Sequence, residues 1–183
     1  MIFIYKLFIF VRFQKLQSYL YSTISIFIEN RLVTIGGYGD RRAISSVEVT
    51  NEEKKLSCNV DSFPYTLFGH SASIIPTGIL VCGGLGFGGN RNRCYEYKKT
   101  TASWQRFPSM TTERYYFDMI FLNQHIWAVG GFKSPNTLDK LDINTKVWTK
   151  HRIPMSVDYH CLTKLTHEKL ILIGGWQKSV SKK

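Results

Sequence analysis

The basic side chains of this sequence are placed with more order than any others that could do chemistry. Arg41 and Arg42, Arg91 and Arg93, Lys133, and Lys178 each follow a Gly-Gly pair by a few residues, and one acid, Asp40, stands among them. A guanidinium offers a planar fork of donors that holds a carboxylate through two hydrogen bonds, so this pattern points to capture of an acidic group with no bond broken. Each cluster also contains an aromatic residue, Tyr38, Phe87, Phe132 or Trp176, and Arg114 with Tyr115 adds a further pair. Basic and aromatic side chains together are the mixture enriched at protein interfaces. The net charge of +11, from 24 Lys and Arg against 13 Asp and Glu, fits an acidic partner, and a nucleic-acid backbone stays open as an alternative because Arg beside Tyr or Phe can track phosphates and stack bases.

Other constellations carry less. The histidines His70, His125, His151, His160 and His167 and the cysteines Cys58, Cys82, Cys94 and Cys161 lack the close pairing of a structural zinc site. Gly84-Leu85-Gly86-Phe87-Gly88-Gly89 fits G-x-G-x-x-G, but a dinucleotide site needs a helix opening at that loop, and a strand is expected from about residue 93. Asp118, Asp139, Asp142 and Asp158 fall in or beside expected strands at positions that read as exposed, with no spaced partner for acid–base work. The expectation is a chain without catalytic residues, metal or cofactor.

The elements that position the basic clusters repeat. Gly-Gly stands at Gly36 and Gly37, Gly83 and Gly84, Gly130 and Gly131, and Gly174 and Gly175, so the step is 47 residues twice and then 44. Before each pair lies a short apolar run (32–35, 79–82, 126–129, 170–173), and before that a second (24–28, 70–75, 117–122, 160–165), separated by turn-type residues. Those are β-hairpins. A third strand follows the first three pairs (46–50, 93–98, 138–143), then a polar turn and a fourth strand that opens with Trp104 in the second repeat and Trp148 in the third. Four antiparallel strands at this period make a propeller blade, a unit that must stack to bury its faces. Strand parity then puts every loop after Gly-Gly, and every linker into the next repeat, at one end of the blades.

An apolar run into Gly-Gly, then an aromatic or apolar residue, six residues and Trp, as in Tyr97 to Trp104, resembles the kelch motif. The resemblance covers about residues 17 to 179; Val49 and Leu56 take the Tyr and Trp places in the first repeat, and the fourth stops before its third strand. It implies an all-β fold, an incomplete kelch-type β-propeller of about three and a half four-stranded antiparallel blades, with repeats at 17–63, 64–110, 111–155 and 156–183. His70 sits where kelch sequences often carry a structural His. The resemblance also implies peptide capture on the loop face, in some relatives as the substrate-recognition part of cullin ubiquitin-ligase adaptors, and in others actin association. Sugar-active kelch-like propellers give a second reading, and the Tyr, Cys and His ligand pattern of the copper-enzyme relatives cannot be placed here.

Six such blades need roughly 280 residues, so the 183 present are expected to be completed by a longer chain or a second copy. Residues 1–16 are apolar and lie outside the repeat; Lys6, Arg12 and Lys15 interrupt them, which suits neither a signal peptide nor a membrane span. They read as a strand added to a blade edge or as sequence foreign to the fold. The unpaired spacing of the cysteines favours reduced thiols and a cytoplasmic setting.

Overall fold

A computed structural model describes residues 22–51, 56–57, 60–86, 89 and 91–176. The segment 1–16 lies outside them. In the first blade β1 (Ile24–Ile28) turns through Glu29 and Asn30 into β2 (Arg31–Ile35); β3 (Tyr38–Gly39) and β4 (Arg42–Ala43) form a small hairpin, and β5 (Val47–Asn51) and β6 (Leu56–Ser57) complete a sheet in the order β1-β2-β5-β6. In the second, β7 (Leu67–Phe68) precedes β8 (Ser71–Ile75), β9 (Gly78–Cys82), β10 (Leu85–Gly86), β11 (Cys94–Lys98) and β12 (Ser103–Phe107), with sheet order β8-β9-β11-β12 and β7 paired to β10. The third blade is β13 (Asp118–Leu122), β14 (His125–Val129), β15 (Thr137–Asp142) and β16 (Val147–Arg152), and a fourth is represented by the pair β17 (Cys161–Lys164) and β18 (Leu170–Ile173). All pairings are antiparallel and no helix occurs among the described residues. The architecture is an incomplete β-propeller.

Alternation along each strand explains the stacking, because successive side chains leave opposite faces of a sheet. In β9, Ile79 and Val81 join Ile24, Ile26, Val33 and Ile35 in a core between the first two blades, while Leu80 and Cys82 join Met119, Ile126 and Ala128 in a core between the second and third. In β14 the odd residues Trp127 and Val129 pack with Val157 and Leu162 of the fourth. Trp104 and Trp148 each sit at a seam. Trp104 packs on Phe63 at 4.8 Å and donates its indole N–H to the Asp61 carbonyl at 3.0 Å; Trp148 lies in the next core and donates to the Pro108 carbonyl at 2.9 Å.

The same alternation corrects the cysteine expectation. Cys82 and Cys94 are register partners on β9 and β11, their Cα atoms 4.2 Å apart, and they form a disulfide. Spacing along the chain hides this pairing because a loop separates two residues that the ladder sets face to face. The thiol argument for a cytoplasmic setting therefore falls away for this pair, and Cys58 lies outside the described residues. No helix among the described residues is long and apolar enough to cross a membrane.

The Gly-Gly pairs join the blades. The N–H of Gly37 donates to the Leu67 carbonyl at 2.8 Å, that of Gly84 to Arg114 at 3.0 Å, and that of Gly131 to Val157 at 2.8 Å, each acceptor lying in the linker that enters the next blade. The first glycine of each pair presses on the same carbonyl: a Cβ on Gly36, Gly83 or Gly130 would lie 2.6, 2.6 or 2.4 Å from it. Left-handed φ values of 55°, 69° and 58° add a second reason for glycine there. Gly174 has the same conformation, φ 69°, but nothing lies within 4 Å of where its Cβ would be. Ile171 and Ile173, counterparts of the buried Leu80 and Cys82, are correspondingly exposed.

Buried polar groups add further ties. Asp118 at the start of β13 accepts from Ser71 Oγ of β8 at 2.9 Å and from the Leu162 N–H of β17 at 2.7 Å, linking three blades at their inner strands. Arg114, expected on the recognition face, is instead fully buried. Its guanidinium pairs with Asp139 at 3.2 Å and donates to the carbonyls of Gly130 and Thr137 and the hydroxyl of Thr112. Burial pulls its pKa down, and Asp139 opposes that shift. Asp139, Asp118 and Asp158 are all buried, not exposed as the strand pattern suggests, and Asp139 and Asp118 accept hydrogen bonds inside their junctions.

Two stability predictions follow from these ties. Gly83→Ala and Gly174→Ala put the same methyl on the same backbone conformation. In urea unfolding the latter should lose about 1 kcal/mol, the left-handed backbone cost alone, and the former about 2 kcal/mol more for the clash; equal losses would mean that the Gly83 contact is absent. Arg114→Met should cost about 3–5 kcal/mol, since it strands the Asp139 charge, whereas Arg41→Met on the exposed hairpin should stay within about 0.5 kcal/mol.

Candidate functional site

The loops after Gly-Gly and the incoming linkers interlock at one end of the blades. Leu67 donates its N–H to the Ile44 carbonyl, Arg114 to Arg91, and Val157 to Pro135, at 3.0, 3.1 and 2.9 Å. In the second, third and fourth repeats the residue after the glycine pair is held against its own blade's linker: Leu85 opposite Phe68, Phe132 opposite Tyr115, and Trp176 opposite Asp158.

Most expected recognition residues lie on this face. Tyr38 is half-buried and meets the Phe68 ring edge-on at 5.0 Å. Arg41 and Arg42 are exposed at the β3–β4 hairpin, where Asp40 and Arg41 both take positive φ. The Arg91 guanidinium lies over the Tyr115 ring at 5.6 Å and pairs with Glu113 at 3.8 Å. Arg93 is half-buried near Tyr65, whose phenol is pushed up to about 12, first by burial, with Arg93 partly opposing. Phe132 is exposed and stacks on Tyr115 at 5.1 Å, Lys133 is exposed, and Trp176 is 69% exposed. Phe87 and Lys178 lie outside the described residues. Arg114 does not reach the face at all: its place corresponds to Leu67 and Val157, which pack inward.

The structure adds three residues that the motif pattern does not mark. Phe68, Tyr116 and Tyr159 join the rim aromatics into a continuous series: Phe68 to Tyr116 at 6.4 Å, Tyr115 to Tyr116 at 5.3 Å, and Tyr116 stacked on Tyr159 at 4.3 Å with 20° between the rings. The available signal was position. Tyr116 and Tyr159 stand two residues before the inner strands of consecutive blades, as Gly69 does before β8. His70 and His160 pack instead into the junctions, their rings or Cβ atoms about the Gly-Gly pairs, which is a structural place. Asp142 is spent on a turn, accepting the N–H groups of Asn144 and Thr145; those bonds, Thr145's first, hold its pKa below the usual range.

The site therefore offers noncovalent recognition: cationic forks at the rim, aromatic faces beside them, Asp118, Asp139 and Asp158 buried beneath, and Asp40 and Glu113 exposed among the cations. No protein-family model matches the chain. Among curated proteins it is 30% identical over 160 residues to Kelch-like protein 36 of Rattus norvegicus, covering 81% of this chain and 26% of that protein. It is 27% identical over 160 residues to Kelch repeat protein C2 of Cowpox virus, covering 77% of this chain and 31% of that one. The chain thus spans between a quarter and a third of the length of these curated relatives. With four glycine-closed hairpins in register, antiparallel sheets that stack as blades, and this similarity along most of its length, the chain belongs to the kelch-repeat family.

Proposed function

We propose that this chain is a non-catalytic protein-interaction module that captures an acidic segment of its partner on the face formed by the post-glycine loops and linkers. The observation that carries the reading is the sorting of charge. Arg41, Arg42 and Lys133 are exposed there and Arg91 is partly so, while Asp118, Asp139 and Asp158 are buried. A rim with surplus cations attracts carboxylates and speeds their encounter, and the aromatic neighbours supply apolar contact. Kelch-named relatives support the interaction role. The finer role of substrate recognition for a cullin ubiquitin-ligase adaptor is part of the proposal and requires that this module be joined to a cullin-binding region.

The test uses fluorescence anisotropy with labelled 12-residue peptides that are rich in Glu, rich in Lys, or neutral. The Glu-rich peptide should bind best and weaken as salt is raised. The triple variant Arg41→Glu, Arg42→Glu, Arg91→Glu should weaken it by tenfold or more, about 1.4 kcal/mol, with its urea midpoint little changed. Unaltered affinity in a folded triple variant would sink the reading.

A further inference from the structure

The linker that enters the third blade turns alternate side chains outward. Arg114 is buried, while Glu113 before it is exposed and Tyr115 after it is half-buried. Both outward residues meet one cation. Arg91, on the loop after the second glycine pair, is fixed through its own carbonyl, which accepts the Arg114 N–H at 3.1 Å. Its guanidinium stands over the Tyr115 ring at 5.6 Å and lies 3.8 Å from the Glu113 carboxylate. Tyr115 is itself stacked on Phe132 at 5.1 Å and bridged to it through the backbone, so the ring is a fixed support for the cation.

The acid is an addition to the repeat. Leu67 and Val157 stand where Arg114 does, so Thr66 and Ser156 correspond to Glu113, and the blades that they enter form with a hydroxyl in that place. The fold therefore does not call for a carboxylate there. Its hold on Arg91 is loose: 3.8 Å is beyond hydrogen-bond reach, and the two side chains are 33% and 44% exposed, a setting in which ion pairs contribute little. An incoming carboxylate that closes a two-pronged contact on the same guanidinium outcompetes a partner held at that distance. Until it does, the negative charge of Glu113 offsets part of the attraction that Arg91 exerts on other acids.

We propose that Glu113 is a built-in competitor for Arg91: its carboxylate occupies the guanidinium in the free chain, and the acidic segment of the partner displaces it on binding. This rests on the interaction reading above and adds an internal brake that sets the affinity and selectivity of that site. A segment whose carboxylate takes the Arg91 fork through both donors releases Glu113, whereas an acid that only passes near the rim meets its repulsion. Displacement leaves Tyr115 beneath the guanidinium, so Arg91 keeps its support when it changes partner.

Glu113→Gln removes the charge and keeps the size, and Glu113→Thr installs the residue type of Thr66. With the full chain and a labelled 12-residue Glu-rich peptide, both variants should bind about threefold tighter than the parent by fluorescence anisotropy, the scale of an exposed charge pair. Glu29→Gln deletes the same charge in the turn between β1 and β2, at the opposite end of the blades, and should leave affinity unaltered. An equal gain there would reduce the effect to net charge and overturn the proposal. In chains that also carry Arg91→Gln the gain from Glu113→Gln should vanish, and a gain that persists overturns the proposal too. Weaker or unaltered binding by both Glu113 variants does the same, since Glu113 would then orient Arg91 or stand idle. Peptide binding that Arg91→Gln alone leaves unaltered overturns the competitor and spares the interaction reading, whereas no binding of the peptide to the parent or to the Glu113→Gln chain overturns both.

Discussion

A backbone carbonyl in each incoming linker, that of Leu67, Arg114 or Val157, is reached by a pair of glycines and could be reached by nothing larger. One glycine donates its N–H to the oxygen and the other leaves room for it, at separations that a Cβ would violate. The second long strand of one blade is thereby tied to the entry of the next, and the inner strands come close enough for Asp118 to bridge three of them. The apolar cores fill the space that these ties define, with alternate residues of each central strand serving two neighbours. The rim loops start from the same glycines, so their positions are set by the junctions.

The architecture was legible in the sequence because its requirements are local. A left-handed turn under close backbone approach admits glycine at Gly36, Gly83 and Gly130, and a wide seam with a carbonyl at its edge suits the indoles of Trp104 and Trp148. What could not be read depended on residues far apart. Arg114 occupies a place where the neighbouring repeats have Leu67 and Val157, and Asp139, brought in from the third strand of the same blade, makes a guanidinium tolerable there. Cys82 and Cys94 are neighbours through the ladder and not along the chain. Tyr116 and Tyr159 were hidden by their phase: their rings meet through a left-handed backbone that sequence does not display.

Folding also redistributes charge. Several acids are consumed by the scaffold, Asp139 and Asp118 inside junctions, Asp142 in a turn, Glu29 against Lys99, and Glu113 against Arg91. Few of the basic side chains are used in this way, Arg114 being the buried exception. The net positive charge of the chain therefore concentrates on the outside, and the loop hairpin bearing Arg41 and Arg42 presents it beside aromatic faces. A composition that would suit several acidic ligands becomes directional once Asp118, Asp139 and Asp158 are buried and Glu29, Glu113 and Asp142 are held in pairs or turns.

The ties between blades are made chiefly from main-chain atoms: glycine and linker amides, and the carbonyls they meet. Side chains next to these ties, such as Tyr38, Leu85, Phe132 and Trp176, share one backbone placement while differing in size and polarity. Such a scaffold separates what must be kept from what is free to vary. Exchange of a rim side chain leaves the junction below it intact, so the rim can be rewritten over successive generations at small cost to folding, whereas loss of a single junction glycine is felt by two blades together.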